Sequence, residues 1–129
     1  MHRCVTLAIA FGALVPSLPA LAQAAQRNFP ADALRGELRI RQPPQAEVDG
    51  QPARLAPGAR IRGENNLLLM SGAIAGQALV VHYTRDGHGL LKDVWVLSPE
   101  ERARQPWPTT PAEAARWQFD PIGQRWSKP

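Results

Sequence analysis

The stretch Ala78-Leu79-Val80-Val81-His82-Tyr83-Thr84-Arg85-Asp86-Gly87-His88-Gly89-Leu90-Leu91-Lys92-Asp93-Val94-Trp95-Val96-Leu97 decides the fold. Its β-branched and aromatic residues favour strands. Its central Asp-Gly-His-Gly favours a tight reversal between them. With Gly87-His88 as the tip, Val81 faces Val94, Leu79 faces Val96 and Tyr83 faces Lys92 on one side of the hairpin. His82 then faces Asp93, and Val80 faces Trp95, on the other. A one-residue slip would exchange the two faces. Val94 and Trp95 point in opposite directions, and the sequence leaves open which of them is buried.

Upstream of this hairpin the same alternation recurs. In Gly36-Glu37-Leu38-Arg39-Ile40-Arg41, apolar Leu38 and Ile40 alternate with charged neighbours, which predicts a half-buried strand. Pro43-Pro44 ends it. Residues 46–55 read as a hairpin around Asp49-Gly50, a pair that tolerates the positive φ angles of a two-residue turn. Pro52 lacks a ladder donor and is expected on an edge. Pro57-Gly58 predicts a further turn. Arg60-Ile61-Arg62 reads as a short strand, Leu67-Leu68-Leu69-Met70 as a buried strand, and 71–77 as a loop or bend.

Downstream, Ser98-Pro99-Glu100-Glu101 carries the pattern of a capping box: a serine cap, proline in the first turn, and glutamate three residues after the cap. Pro106-Trp107-Pro108 stops that helix. Thr110-Pro111-Ala112-Glu113 repeats the signature. Residues 117–126 read as a terminal hairpin, with Trp117 expected opposite Trp126. The expected fold is therefore mainly β. It is a small SH3-like or OB-like barrel over about 34–97, or a strongly twisted antiparallel sheet, followed by two short helices and a tryptophan-rich terminal hairpin over 98–129.

The first 22 residues read as a secretory signal peptide. A basic Met1-His2-Arg3 precedes an apolar run, Pro16 and Pro19 break it, and Ala20-Leu21-Ala22 offers a cleavage site. A membrane anchor needs about 20 continuous apolar residues, which these prolines interrupt. Cleavage after Ala22 removes Cys4, the only cysteine, so disulfides, thiol catalysis and cysteine metal sites are excluded from the mature chain. It also removes Arg3 and takes the net charge from +4 to +3. Residues 23–33 are expected to be a flexible tether, and 34–129 a single β-rich domain. No later segment is apolar enough to span a membrane. The location implied is a bacterial periplasm or the medium.

The segments Leu34-Arg35-Gly36-Glu37-Leu38, Leu55-Ala56-Pro57-Gly58-Ala59-Arg60-Ile61-Arg62 and Asp93-Val94-Trp95-Val96-Leu97 resemble small exported bacterial proteins without assigned activity. The resemblance implies export and a β-rich fold, and it carries no catalytic residues.

Few residues offer chemistry. His82, Asp86 and His88 are the only metal candidates, and zinc sites usually need three or four convergent ligands. His82 with Asp93 is the only acid/base pair, read here first as a cross-strand hydrogen bond on a solvated face. No serine has a triad-like context, and Ser98 is explained by its cap. Catalysis, a resident metal and a cofactor are not expected. The tryptophans read two ways, as a small core that ties down the tail or as a binding surface. For the second reading the candidates are Trp107, Arg116, Trp117, Arg125 and Trp126, with Trp107 expected to be partly exposed. Arg39 with Arg41, and Arg60 with Arg62, are each spaced by two, so they read either as an ordinary solvated face of an arginine-rich chain or as a basic stripe on the solvent face of adjacent strands. Export argues against nucleic acid as a partner. An anionic envelope polymer or a periplasmic protein fits better. The function expected is a non-catalytic envelope binding or accessory module. The alternatives are a structural subunit of a periplasmic assembly, and a metal-binding or hydrolytic protein using His82 and Asp93.

Overall fold

The structure, a computed structural model, describes residues 12–16 and 26–129. The basic head, Cys4 and the expected cleavage site after Ala22 lie outside the described residues. Residues 12–16 are exposed and without regular structure.

Five strands close into a barrel: β1 (Leu34–Ile40), β2 (Gln45–Val48), β3 (Gln51–Arg62), β5 (Ala78–Arg85) and β6 (Leu91–Val96). A two-residue β4 (Leu68–Leu69) flanks β3. Around the barrel the order is β1, β2, β3, β6, β5 and back to β1, with every pairing antiparallel except β3 with β6. Of the expected geometries, this five-stranded Greek-key closure is the OB-like one.

The local chemistry explains most of the turns. Asp49 and Gly50 both take positive φ, 51° and 78°, and join Val48 to Gln51 as a two-residue hairpin. The reversal expected at Pro57-Gly58 is instead a bulge within one long strand. Gly58 takes φ 75°, and β3 carries extra residues between its pairings at Leu55 and Arg60. Such a bulge bends a strand around a barrel corner. Residues 71–77 are not merely a loop. Ser71–Ile74 form a 3-10 turn, and Ile74 enters the barrel core.

The β5–β6 register differs from the expected one. His82 pairs with Trp95, Val81 with Val96 and Tyr83 with Val94. Two bulges cause this. Gly89, at φ 76°, adds one residue to the turn that Asp86 and Gly89 close. Lys92 and Asp93 together oppose Thr84 and add another. Two single slips restore the original faces. Val81, Tyr83, Val94 and Val96 line the barrel interior, while Val80, His82 and Trp95 face outward. Both faces are covered, which explains why the sequence alone did not choose between them.

The outer face is covered by a second layer. It comprises residues 26–33, α1 (Pro99–Ala103), α2 (Pro111–Arg116), the segment between the helices, and a hairpin of β7 (Gln118–Asp120) and β8 (Arg125–Ser127). Phe29, Ala33, Leu97, Trp107 and Trp126 form its core. The tether expectation therefore fails from residue 26 onward, because Phe29 and Ala33 are buried in that core. Burying a phenylalanine stabilises by about 1.5–3 kcal/mol, which fixes the segment in place. The expectation of a buried strand at 67–70 also fails. Leu67 and Leu68 are each 65% exposed and Met70 80%. The two residues of β4 lie at the sheet edge, beyond the closed barrel, where Leu69 packs against the core and Leu68 is exposed.

Candidate binding cleft

The second layer is held by local caps and one long-range ion pair. Ser98 and Glu101 form both halves of the capping box. Glu101 also receives Arg27, whose Nε donates to Oε2 at 2.9 Å. Burial works to raise the Glu101 carboxyl's pKa. The Arg27 hydrogen bond and the Ser98 backbone N–H outweigh it and hold the carboxyl below its ordinary range. Arg27 donates further to the carbonyls of Gly63 and Val96. The one side chain thus joins the N-terminal segment to β6, the end of β3 and α1.

The terminal hairpin turns one residue later than expected. Pro121–Gln124 form its loop, Asp120 opens it by accepting from the Ile122 N–H, and Gln124 takes φ 52°. Phe119 rather than Trp117 therefore pairs with Trp126, their rings stacked at 4.7 Å. Gln124 is buried and exchanges hydrogen bonds with the Phe29 backbone.

The candidate chemical groups do not converge. His82 is 1% exposed and stacks on Trp107, with ring centroids 4.0 Å apart. Its pKa is pushed down to about 2, first by burial and then by the Arg35, Arg27 and Arg104 charges. It is neutral, and it faces Trp95 rather than Asp93. Asp93 instead donates its backbone N–H to Thr84 Oγ1. This corrects the reading of His82 and Asp93 as a solvated hydrogen-bonded pair, and it separates the residues proposed for hydrolysis. Asp86 shapes its own turn, its Oδ1 accepting from the His88 and Leu90 N–H groups. Those bonds hold its carboxyl below the ordinary range. Among the described residues no group of three or more His, Cys, Asp or Glu could hold a metal ion.

The four arginines do not form one stripe. Arg39 and Arg41 belong to the β1 side, whereas Arg60 and Arg62 lie on β3 beside β4 and β6. Strand β2, which lies between β1 and β3, pairs only with the start of β3, so Arg60 and Arg62 sit on a part of β3 whose neighbours are β4 and β6. Acidic partners also break the pattern. Arg39 opposes Glu47, Arg41 bonds Glu47 at 3.0 Å, and Arg60 pairs with Asp93. Spacing by two gave the right faces, but strand neighbours are set by the closure of the barrel.

Three of the tryptophan candidates do converge. Trp107, Trp117 and Trp126 line a cleft of about 730 Å³, with Arg35, Gln105, Thr109, Ser127 and Lys128 among its other walls. Trp107 is buried, correcting its expected partial exposure, and Trp126 is buried with it. Their rings form part of the core beneath the cleft. Trp107 Nε1 donates to the Ala33 carbonyl at 3.0 Å. Trp117 is half-buried, and Lys128 Nζ lies 5.2 Å from its ring centroid. Arg35 lies over Trp107 at 5.6 Å. Arg116 and Arg125 are exposed and do not line the cleft.

Arg35 and Lys128 were not among the sequence candidates. The alternation of β1 put Arg35 on its outer face, but its partners come from far along the chain. It donates to the carbonyls of Glu101, Arg102 and Arg104 at the end of α1. Burial draws its pKa below the ordinary value, against the opposing pull of Glu101, and a guanidinium remains charged. Lys128 gave no signal beyond its closeness to Trp126.

Compared with protein-family models, curated proteins and solved structures, the chain matches none.

Proposed function

We propose that this chain is an exported, non-catalytic binding module of the cell envelope, with the tryptophan cleft as its binding element. One observation carries the reading: Trp107, Trp117 and Trp126, drawn from three separate segments, line a single open cleft beside Arg35 and Lys128. Aromatic walls with nearby cations suit a ligand that has both a flat apolar face and negative charge. Supporting observations are the basic balance of the chain and its leader-like first 22 residues.

The test is cosedimentation of the purified protein with isolated envelope fractions at low and high salt. Capture that weakens with salt and is lost in Trp117→Ala is the expected result. Capture unchanged by that substitution would remove the cleft from the function. Fractionation of expressing cells, with the mass of the recovered chain, tests export and an N-terminus at Gln23.

A second reading, a structural subunit of a periplasmic assembly, is favoured by the exposed Leu67, Leu68 and Met70 at the sheet edge. Exposed apolar residues clustered on an edge mark association surfaces. A stable complex at native abundance that dissociates on Leu68→Asp would support it.

A further inference from the structure

We infer that the cleft selects an acidic saccharide, a sugar chain bearing carboxylates, an inference that rests on the reading of the cleft as the binding element. Among the described residues its walls contain two cations, Arg35 and Lys128, and no aspartate or glutamate. Among the described residues Arg41 meets Glu47 and Arg102 meets Glu64, whereas Lys128 pairs with no carboxylate. Arg35 is committed to the Glu101, Arg102 and Arg104 carbonyls, so Lys128 is the exposed cation at the cleft that favours carboxylates over cationic ligands.

The remaining walls narrow the class. Trp117 presents a half-exposed indole, a platform on which the C–H face of a pyranose ring packs. Gln105 and Ser127 add amide and hydroxyl groups that exchange hydrogen bonds with sugar hydroxyls, while the Thr109 hydroxyl, which donates to Glu113, offers only an acceptor. A lipid chain would leave these polar groups without partners, and a bare anion would not use the indole. The site lies on the second layer, away from the β2–β3 strands.

The test is titration of the full-length protein with trigalacturonate and with its neutral counterpart galactotriose, followed by calorimetry and tryptophan fluorescence. Trigalacturonate is expected to bind and galactotriose not. Lys128→Glu should weaken binding about tenfold or more, as expected for loss of one charge-assisted contact. Trp117→Ala should also weaken it, and Lys128→Glu covers the case in which that variant misfolds. Arg54→Glu, the same charge change on β3, should leave affinity unchanged.

Equal affinity for both trisaccharides overturns the inference, because charge then plays no part. So does absence of trigalacturonate binding by a protein that still cosediments with envelope through Trp117, and in that case the cleft remains the binding element. Cosedimentation unaffected by both Trp117→Ala and Lys128→Glu removes the cleft altogether, and the inference with it.

Discussion

The imidazole of His82 lies nearly flat against the indole of Trp107, their planes 23° apart. The contact joins the two parts of the molecule. His82 belongs to a barrel strand, and Trp107 to the segment between the two short helices. Phe29 meets both rings edge-on, at 4.5 Å and 5.9 Å. A titratable group thus sits at the joint between barrel and cover, where its charged form has no place.

Stability should therefore fall on mild acidification. The unfolded chain takes up a proton at His82 near pH 6.5, whereas the folded chain resists until about pH 2. Between those values the unfolded state binds more protons, so stability decreases as pH falls through that window. From pH 7 to pH 5 the expected loss is about 2 kcal/mol. Urea unfolding at several pH values measures it. His82→Phe, which keeps an aromatic ring without the charge, should show a much flatter dependence over the same interval. Equal slopes in both proteins would show that His82 is not the group responsible.

The relation between sequence and structure is uneven in a physically consistent way. Ser98 and Glu101 were readable because a capping box is contained within four residues. The Asp49-Gly50 turn was readable because its backbone demand selects those residue types. The His82–Trp95 pairing was not, since two bulges intervene and neither has a strong residue signature. The arginine stripe failed for a different reason: alternation fixes faces within a strand but not which strands become neighbours. Arg27 and Phe29 gave no periodic signal, because they hold their places through single contacts far along the chain. At the cleft, the tryptophans announced themselves by type. Arg35 and Lys128 did not, since only closure of the second layer brings them together.

Arg27→Ala should destabilise the domain by about 3–5 kcal/mol, the range for removing one partner of a buried ion pair. Both side chains are about nine-tenths buried. The substitution strands the Glu101 carboxylate and takes a donor from the Gly63 and Val96 carbonyls. Replacing both partners, Arg27→Met with Glu101→Leu, should lose less than the sum of the two single changes. Denaturant midpoints for the four proteins complete this cycle. Strict additivity would mean that the pair does not act as a unit.

Gly36→Ala should cost about 1–3 kcal/mol through overpacking. A Cβ at Gly36 would lie 2.9 Å from Val48 Cγ1 and 3.2 Å from Tyr83 Cε1, both inside the barrel. Gly72, in the 3-10 turn, is the matched control. An added methyl there meets nothing within 4 Å, and Gly72→Ala should stay within about 0.5 kcal/mol of the parent. Thermal and urea unfolding of the two variants provide the comparison, and equal effects would contradict the close packing at Gly36.

Trp107→Phe and Trp126→Phe remove the same atoms from neighbouring rings of one core, yet they should differ. Trp107 Nε1 donates to the Ala33 carbonyl, so the phenylalanine variant loses a buried hydrogen bond. Among the described residues Trp126 Nε1 is buried without an acceptor, so its removal forfeits none and relieves an unmet donor. The expected difference is about 1–2 kcal/mol, with Trp107→Phe the less stable. Measured without ligand, this difference tests whether the Trp126 donor is truly unpartnered in the free protein. A Trp126→Phe variant as costly as Trp107→Phe would mean that water already satisfies the indole.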